Sequence, residues 1–225
     1  MDQPVIDPRT TKTLLETPYI RVYDLAYEDG THYYDASRRT RDDLLALKGE
    51  QERDTSLPDA VSCCLVLEVE GEDPRIVLTY EYRYPTGQFV LGIPSGLIDA
   101  RDRRSPEPLL EAMGREIAEE TGLVLGPGDS LSVVSPLLFN TPGMTDESTA
   151  LLCAVVRRPD AAGLTQAAAE GTERFEGFEL MTADEARRVL ACGRDRHGHF
   201  YPMVTWAALT YFATGLWRSG FAAGA

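Results

Sequence analysis

The run Arg115-Glu116-Ile117-Ala118-Glu119-Glu120-Thr121-Gly122-Leu123 decides how the rest of the chain is read. As a helix it sets Glu116, Glu119 and Glu120 at i, i+3 and i+4, so three carboxylates converge on one face within about one turn. Like charges at that spacing repel, and the helix loses stability unless a counter-charge stands among them. Mg²⁺ is the natural counter-charge, because it takes oxygen ligands and binds through carboxylates together with phosphates. Arg115 is placed to orient one carboxylate by a charge-assisted hydrogen bond, while Leu109, Leu110, Met113 and Ile117 are free to face a core. Ser105 suits an N-cap, Pro106 the first helical position, and Gly122 the C′ position that closes the helix.

Strand signals flank this helix. Val61–Val69 and Arg75–Tyr82 read as paired strands joined by a turn at Glu70-Gly71-Glu72-Asp73-Pro74, and Gln88–Ile93 as a third strand. Leu131–Val134 is a short strand candidate, and Ala150–Val156 is a long apolar one. A second helix is expected from Thr182, whose capping box runs to Glu185, to Gly193. The tail from Pro202 to Trp217 carries Val204, Leu209, Phe212 and Leu216 at the spacing of a helix packed on a sheet. Near the N-terminus, Tyr19–Tyr23 and Thr31–Tyr34 suggest an antiparallel hairpin turning at Glu28-Asp29-Gly30. The charged stretch from Ala36 to Pro58 reads as an exposed linker or short helix. The expectation is an α+β chain with two parts: residues 1–57 as a small β-rich element and linker, and 58–225 as the main domain.

Composition narrows the function classes. The 225 residues are 43% hydrophobic and 26% charged, ordinary for a globular chain. A formal net charge of −14 counts against nucleic-acid binding, which wants a basic footprint, but not against a phosphate-bearing small molecule bound with cations. Cys63, Cys64, Cys153 and Cys192 form no CxxC pair, and with His32, His197 and His199 they offer no zinc-ligand spacing; reduced thiols are expected. The start Met1-Asp2-Gln3-Pro4 lacks a basic and an apolar region, and no apolar run reaches membrane-spanning length, so a cytoplasmic location with no membrane contact is expected.

The pattern Arg-Glu-apolar-x-Glu-Glu-x-Gly-apolar, met by Arg115 to Leu123, resembles the C-terminal half of the box of the Nudix hydrolase family, Gly-x5-Glu-x7-Arg-Glu-U-x-Glu-Glu-x-Gly-U with U apolar. Glu107 lies at the x7 spacing before Arg115. Arg101 stands where the family has its glycine, and Gly96 looks like that glycine displaced by a five-residue insertion around Ala100–Arg104. If Ser105-Pro106 marks the usual helix start instead, Glu107 is not the equivalent of the first box glutamate.

Flanking segments resemble the ADP-ribose and nucleotide-sugar pyrophosphatase branch. Glu81-Tyr82-Arg83 is similar to its Gln-Tyr-Arg, which implies a diphosphate contact for Arg83, with Glu81 in place of glutamine. Leu91-Gly92-Ile93-Pro94-Ser95-Gly96 is similar to its Leu-Glu-x-Pro-Ala-Gly, with Gly92 replacing the glutamate, and implies a main-chain metal ligand at Ser95. Thr141-Pro142-Gly143-Met144-Thr145-Asp146-Glu147 looks like its substrate loop, which assigns Pro142, Gly143 and Met144 to substrate binding. The acidic loop Glu170–Glu176 resembles the segment supplying a catalytic or metal-assisting glutamate, Glu173 first and Glu176 in reserve.

The resemblance implies the α/β/α sandwich of the Nudix type, with Glu116, Glu119 and Glu120 on Mg²⁺ (or Mn²⁺), Arg115 beside them, and Glu173 or a box glutamate as general base. The implied substrate is a nucleoside diphosphate sugar, ADP-ribose foremost, cleaved to AMP and ribose 5-phosphate. Another nucleotide sugar or a dinucleoside polyphosphate is the alternative, and so is a Nudix-fold sensor that binds without turnover. Tyr33 or Tyr34 could stack on a base, although core packing is the commoner use of such residues. A homodimer exchanging the N-terminal element is implied by the resemblance alone.

Overall fold

The computed structural model describes residues 4–167 and 173–219. The chain divides into two compact units, the first made of Met1–Asp59 with Leu137–Thr149, the second of Ala60–Pro136 with Ala150–Ala225. The expected N-terminal element is thus joined by a segment from far along the chain.

In the first unit, β1 (Lys12–Glu16), β2 (Arg21–Ala26) and β3 (His32–Ser37) form an antiparallel sheet in that order. The β2–β3 pair is the expected hairpin, and Gly30 in its turn has φ +87°, which glycine adopts without strain. β1 was not expected; every residue in it is exposed, so no apolar alternation marks it. The stretch read as an exposed linker holds the short helix α1 (Glu50–Asp54), but Leu44 and Leu45 are buried, and Leu44 packs with Tyr23 and Leu25.

Charge ties this unit together. The Arg39 side chain is only 4% exposed and reaches Asp43 at 3.3 Å, Asp59 at 3.3 Å and Asp146 at 3.6 Å, and it donates to the Leu57 carbonyl at 2.9 Å. Ser37 Oγ donates to Asp146 at 2.6 Å, and the Ser148 N–H donates to Asp59 at 3.0 Å.

The second unit is built on β4 (Ala60–Val69), β5 (Arg75–Arg83), β6 (Gln88–Gly92), β7 (Ser95–Leu97), α2 (Pro108–Thr121), β8 (Ser130–Phe139), β9 (Ser148–Arg158), β10 (Phe175–Thr182), α3 (Ala183–Cys192) and α4 (Met203–Ala213). The strands run β10-β5-β4-β9-β8, with β6 paired to β5 and β7 to β4. β4 and β5 pair only near their turn, at Val66↔Ile76 and Leu67↔Arg75, so β7 and β6 take up the edges they leave open. Side chains of β4 alternate between two cores. Cys64 and Val66 join Leu209 and Phe212 of α4 and Ala186 of α3, whereas Cys63 and Leu65 join Ala112, Met113 and Ile117 of α2. A sheet with helices on both faces is the α/β/α sandwich expected.

Three boundaries differ from the sequence reading. α2 begins at Pro108 with Glu107 as its N-cap, not at Ser105-Pro106, because Asp102–Arg104 forms a 3₁₀ turn and Ser105 Oγ accepts from the Glu107 N–H. Either proline fits a first helical position; the preceding turn decides between them. β8 runs well past the expected four residues, and it accommodates Pro136 because it is an edge strand. β10 lies partly within the acidic stretch read as a loop, entered through a bulge between Phe175 and Phe178 with Gly177 at φ +94°. The α3 capping box and the Gly193 stop are as expected. Among the described residues no helix is long and apolar enough to cross a membrane.

Replacing Arg39 by Met leaves Asp59 and Asp146 buried without their cation. The expected loss is about 3–5 kcal/mol of stability, read by urea denaturation followed by circular dichroism.

Candidate active site

α2 presents its polar stripe to β7. Glu116 and Glu120 are 7% and 5% exposed although both carry carboxylates, and Glu119 is the more open of the three. Gly96 explains how Glu116 fits: a Cβ built there would lie 2.0 Å from the Glu116 carboxylate. The helix can press its glutamate onto the strand only because position 96 has no side chain. Next to it, the Ser95 N–H donates to Glu120 at 3.3 Å.

Arg115 organises the group. Its Nη1 donates to Glu116 at 2.6 Å and to Glu119 at 2.9 Å, and its Nη2 donates to the Leu97 carbonyl at 3.0 Å and to Asp102 at 2.9 Å. Asp102 belongs to the inserted turn and is 1% exposed. Burial alone would raise its carboxyl, but the bonds from Arg115 and the Asp99 N–H hold it below the usual range. The insertion is therefore anchored to the box arginine by a buried ion pair. Nothing in the spacing of the box points to Asp102; only the extra turn brings it there.

The carboxylates themselves are uncomfortable. Burial pushes Glu116 up to about 6, with Arg115 opposing and Glu119 and Glu173 adding repulsion. Glu120 is raised well above its ordinary value by burial first, then by Glu116 and Glu81, with the Ser95 N–H opposing. Glu81 is also raised by burial, against the pull of Arg83, whose Nη2 lies 2.5 Å from Glu81 Oε2. Glu173 is exposed yet acts electrostatically on Glu81, Glu116 and Glu120, so β5, α2 and the segment just before β10 bring four acids into one neighbourhood. Glu176 is exposed on β10, and residues 170–172 of that acidic stretch lie outside the described residues. Glu107 is exposed at the helix start, away from the buried stripe.

As the side chains stand, no three His, Cys, Asp or Glu among the described residues already converge as a metal-binding group. Arg115 occupies Glu116 and Glu119 instead. The donor set nevertheless fits a hard divalent cation: it is all oxygen, buried, mutually repulsive, and seated against a glycine that leaves it room.

Pro142, Gly143 and Met144 belong to the first unit. Gly143 accepts from the Tyr33 hydroxyl at 2.9 Å, and Met144 from the Ala36 N–H at 3.1 Å. With Tyr33, Tyr34 and Phe139, Pro142 and Met144 line a cleft of about 350 Å³. Asp35 also lines it; its Oδ2 is buried without a hydrogen-bond partner, and burial together with Asp146 pushes it up to about 6. Asp35 carries no motif, and its position became legible only once β3 and the loop at 141–147 were seen together.

Fold and site define a sandwich domain with an arginine-braced carboxylate helix laid against a glycine of its sheet. The family model described as NUDIX domain matches residues 56–204, and the chain belongs to the Nudix family. It is 39% identical over 94 residues to the putative nudix hydrolase 2 of Caenorhabditis elegans, across 42% of this chain and 38% of that protein, so the match spans about two fifths of that relative's length. It is 28% identical over 172 residues to the ADP-sugar pyrophosphatase of Mus musculus, across 74% of this chain and 72% of that one. A solved structure described as an ADP compounds hydrolase shares the fold with a TM-score of 0.59 at 19% identity, covering 98% of this chain and 97% of that chain.

The raised Glu116 carboxyl carries a sign for stability. A carboxyl that is harder to ionise when folded contributes stability below its unfolded value near 4.5, and that contribution is lost as pH rises through about 6. In chelator, Glu116→Gln is therefore expected to melt higher than wild type at pH 7 and to lose that advantage at pH 4.5, measured by calorimetry across the range.

Proposed function

We propose that the protein is a divalent-cation-dependent pyrophosphohydrolase acting on a nucleoside diphosphate linked to a sugar, with ADP-ribose, cleaved to AMP and ribose 5-phosphate, as the foremost substrate and Mg²⁺ as the working ion. The observation that carries this reading is the buried, mutually repulsive stripe of Glu116 and Glu120, with Glu116 pressed against Gly96. Family membership and the likeness to an ADP-sugar pyrophosphatase support it.

Glu116, Glu119 and Glu120 hold the cations, with the main chain at Ser95 beside them. Divalent cations held by these residues would supply charge neutralisation of the diphosphate and a more acidic water. Arg83, half exposed at the end of β5, orients the diphosphate by charge-assisted hydrogen bonds. Glu173 takes the proton from the attacking water, a role that its exposed position near the acidic group suits. Arg115 keeps Glu116 and Glu119 aligned while Asp102 fixes Arg115 from behind.

Taken by itself, the first-unit cleft suits a planar base: Tyr33, Tyr34 and Phe139 provide aromatic surface, and the buried Asp35 oxygen is placed to accept from an exocyclic amine. The Pro142–Met144 segment forms one wall. The protein works as a homodimer; sedimentation velocity is expected to give twice the chain mass, and a monomer at all concentrations would remove this part of the reading.

The decisive assay offers a panel of diphosphates with Mg²⁺ to wild type, Glu120→Gln and Tyr34→Ala. Wild type is expected to release AMP from ADP-ribose, Glu120→Gln to lose most of its kcat, and Tyr34→Ala to raise KM chiefly. Full activity in Glu120→Gln overturns the cation-site assignment. Binding of ADP-ribose without AMP release would make the protein a nucleotide sensor.

A further inference from the structure

Glu81 and Arg83 stand two residues apart on β5, on the same face of the strand, joined at 2.5 Å. The two ends of this pair live in different surroundings. Arg83 is half exposed, whereas the Glu81 side chain is 16% exposed. At Glu81 the strand lies between β10 and β6, through the pairs Phe175↔Glu81 and Glu81↔Val90, so Glu81 rises from the interior of the sheet. On β6 the residue opposite Glu81 is Val90, and the next same-face position is Gly92, opposite Thr79. Arg83 is its one cationic partner in an ion pair among the described residues. Its charge also acts on Glu120, which is buried on α2, and it is itself repelled by Glu173.

Glu81 is therefore paired with a guanidinium suited to an anion and coupled by charge to a carboxylate stripe suited to a cation. We propose that Glu81 is a latch on Arg83: without a cation on α2 it holds the guanidinium and withholds it from a diphosphate, and a cation at Glu116 and Glu120 draws the Glu81 carboxylate away and releases Arg83. Arg83 is then offered to the anion only when the cation that must share it is in place. The same exchange runs in reverse, since a group that couples two sites couples them reciprocally. Glu81 is a positioning residue in this scheme, acting through Arg83. The inference rests on the proposed roles of the α2 carboxylates and of Arg83.

The test is a binding cycle that needs no turnover. Inorganic pyrophosphate is titrated calorimetrically in EDTA into wild type, Glu81→Gln, Arg83→Ala and the double variant, with circular dichroism and melting confirming that each is folded. Opening the latch is expected to tighten pyrophosphate binding about two- to fivefold in Glu81→Gln, the range of a partly exposed ion pair. In the Arg83→Ala background the same change is expected to do nothing. Equal tightening in both backgrounds means that Glu81 acts only as a distant charge, and no tightening means that it does not hold Arg83; either result overturns the latch.

A second arm titrates Mn²⁺ alone, followed by electron paramagnetic resonance. Arg83→Ala is expected to tighten Mn²⁺ binding by a similar factor when Glu81 is present and to have no effect in Glu81→Gln. An equal effect in both overturns the latch. AMP release without coupling in these cycles removes the latch and leaves the enzymatic reading intact. Coupling without AMP release from any diphosphate does the opposite.

Discussion

Carboxylates forced together out of water are the constraint on which the second unit depends. Glu116 and Glu120 are buried on a helix whose other face makes core contacts through Ala112, Met113 and Ile117, so the helix cannot turn them away without giving up that core. Burying an ionised carboxylate without a partner is costly, and the protein answers with partial measures. Arg115 spans Glu116, Glu119 and Asp102, the Ser95 N–H supports Glu120, and the remaining discomfort appears as raised carboxyls. Such an arrangement is poor as a stability device, and its all-oxygen, mutually repulsive donors are of the kind that a divalent ion would relieve.

The two cores of the sandwich make that arrangement rigid. Residues of β4 alternate between the α2 side and the α3/α4 side, so the sheet is held from both faces. α2 is pinned in its middle by Arg115, which reaches both the Leu97 carbonyl and Asp102, and is closed at its end by Gly122 in the left-handed region at φ +74°. A site built on a helix and strands holds its groups more closely than one built on loops.

Much of this was legible in the sequence, for physical reasons that differ from element to element. The spacing of Glu116, Glu119 and Glu120 states their common face outright, and the Thr182–Glu185 capping box states a helix start, because both signals are local. Gly96 was readable as a displaced box glycine, and the structure gives its cause in the Glu116 carboxylate at its α-carbon. What stayed hidden depends on distant partners. β1 shows no alternation because it is exposed throughout, and Asp102 matters only through Arg115, thirteen residues on. The buried Leu44 and Arg39 sit in a stretch whose charge density reads as solvent-facing; Asp59 and Asp146, which neutralise Arg39, come from elsewhere in the chain. Asp35 and Glu81 carry no motif that marks them as buried acids.

Pro136 in β8 has a consequence for how the molecule behaves in a crowded solution. β8 ends the strand order, and an outer strand offers unpaired N–H and C=O groups to any other extended chain. A proline in the middle of Ser130–Phe139 removes one donor from that ladder and interrupts the template. The edge is thereby made a poorer seed for strand addition and aggregation, a safeguard carried by a single residue of the strand.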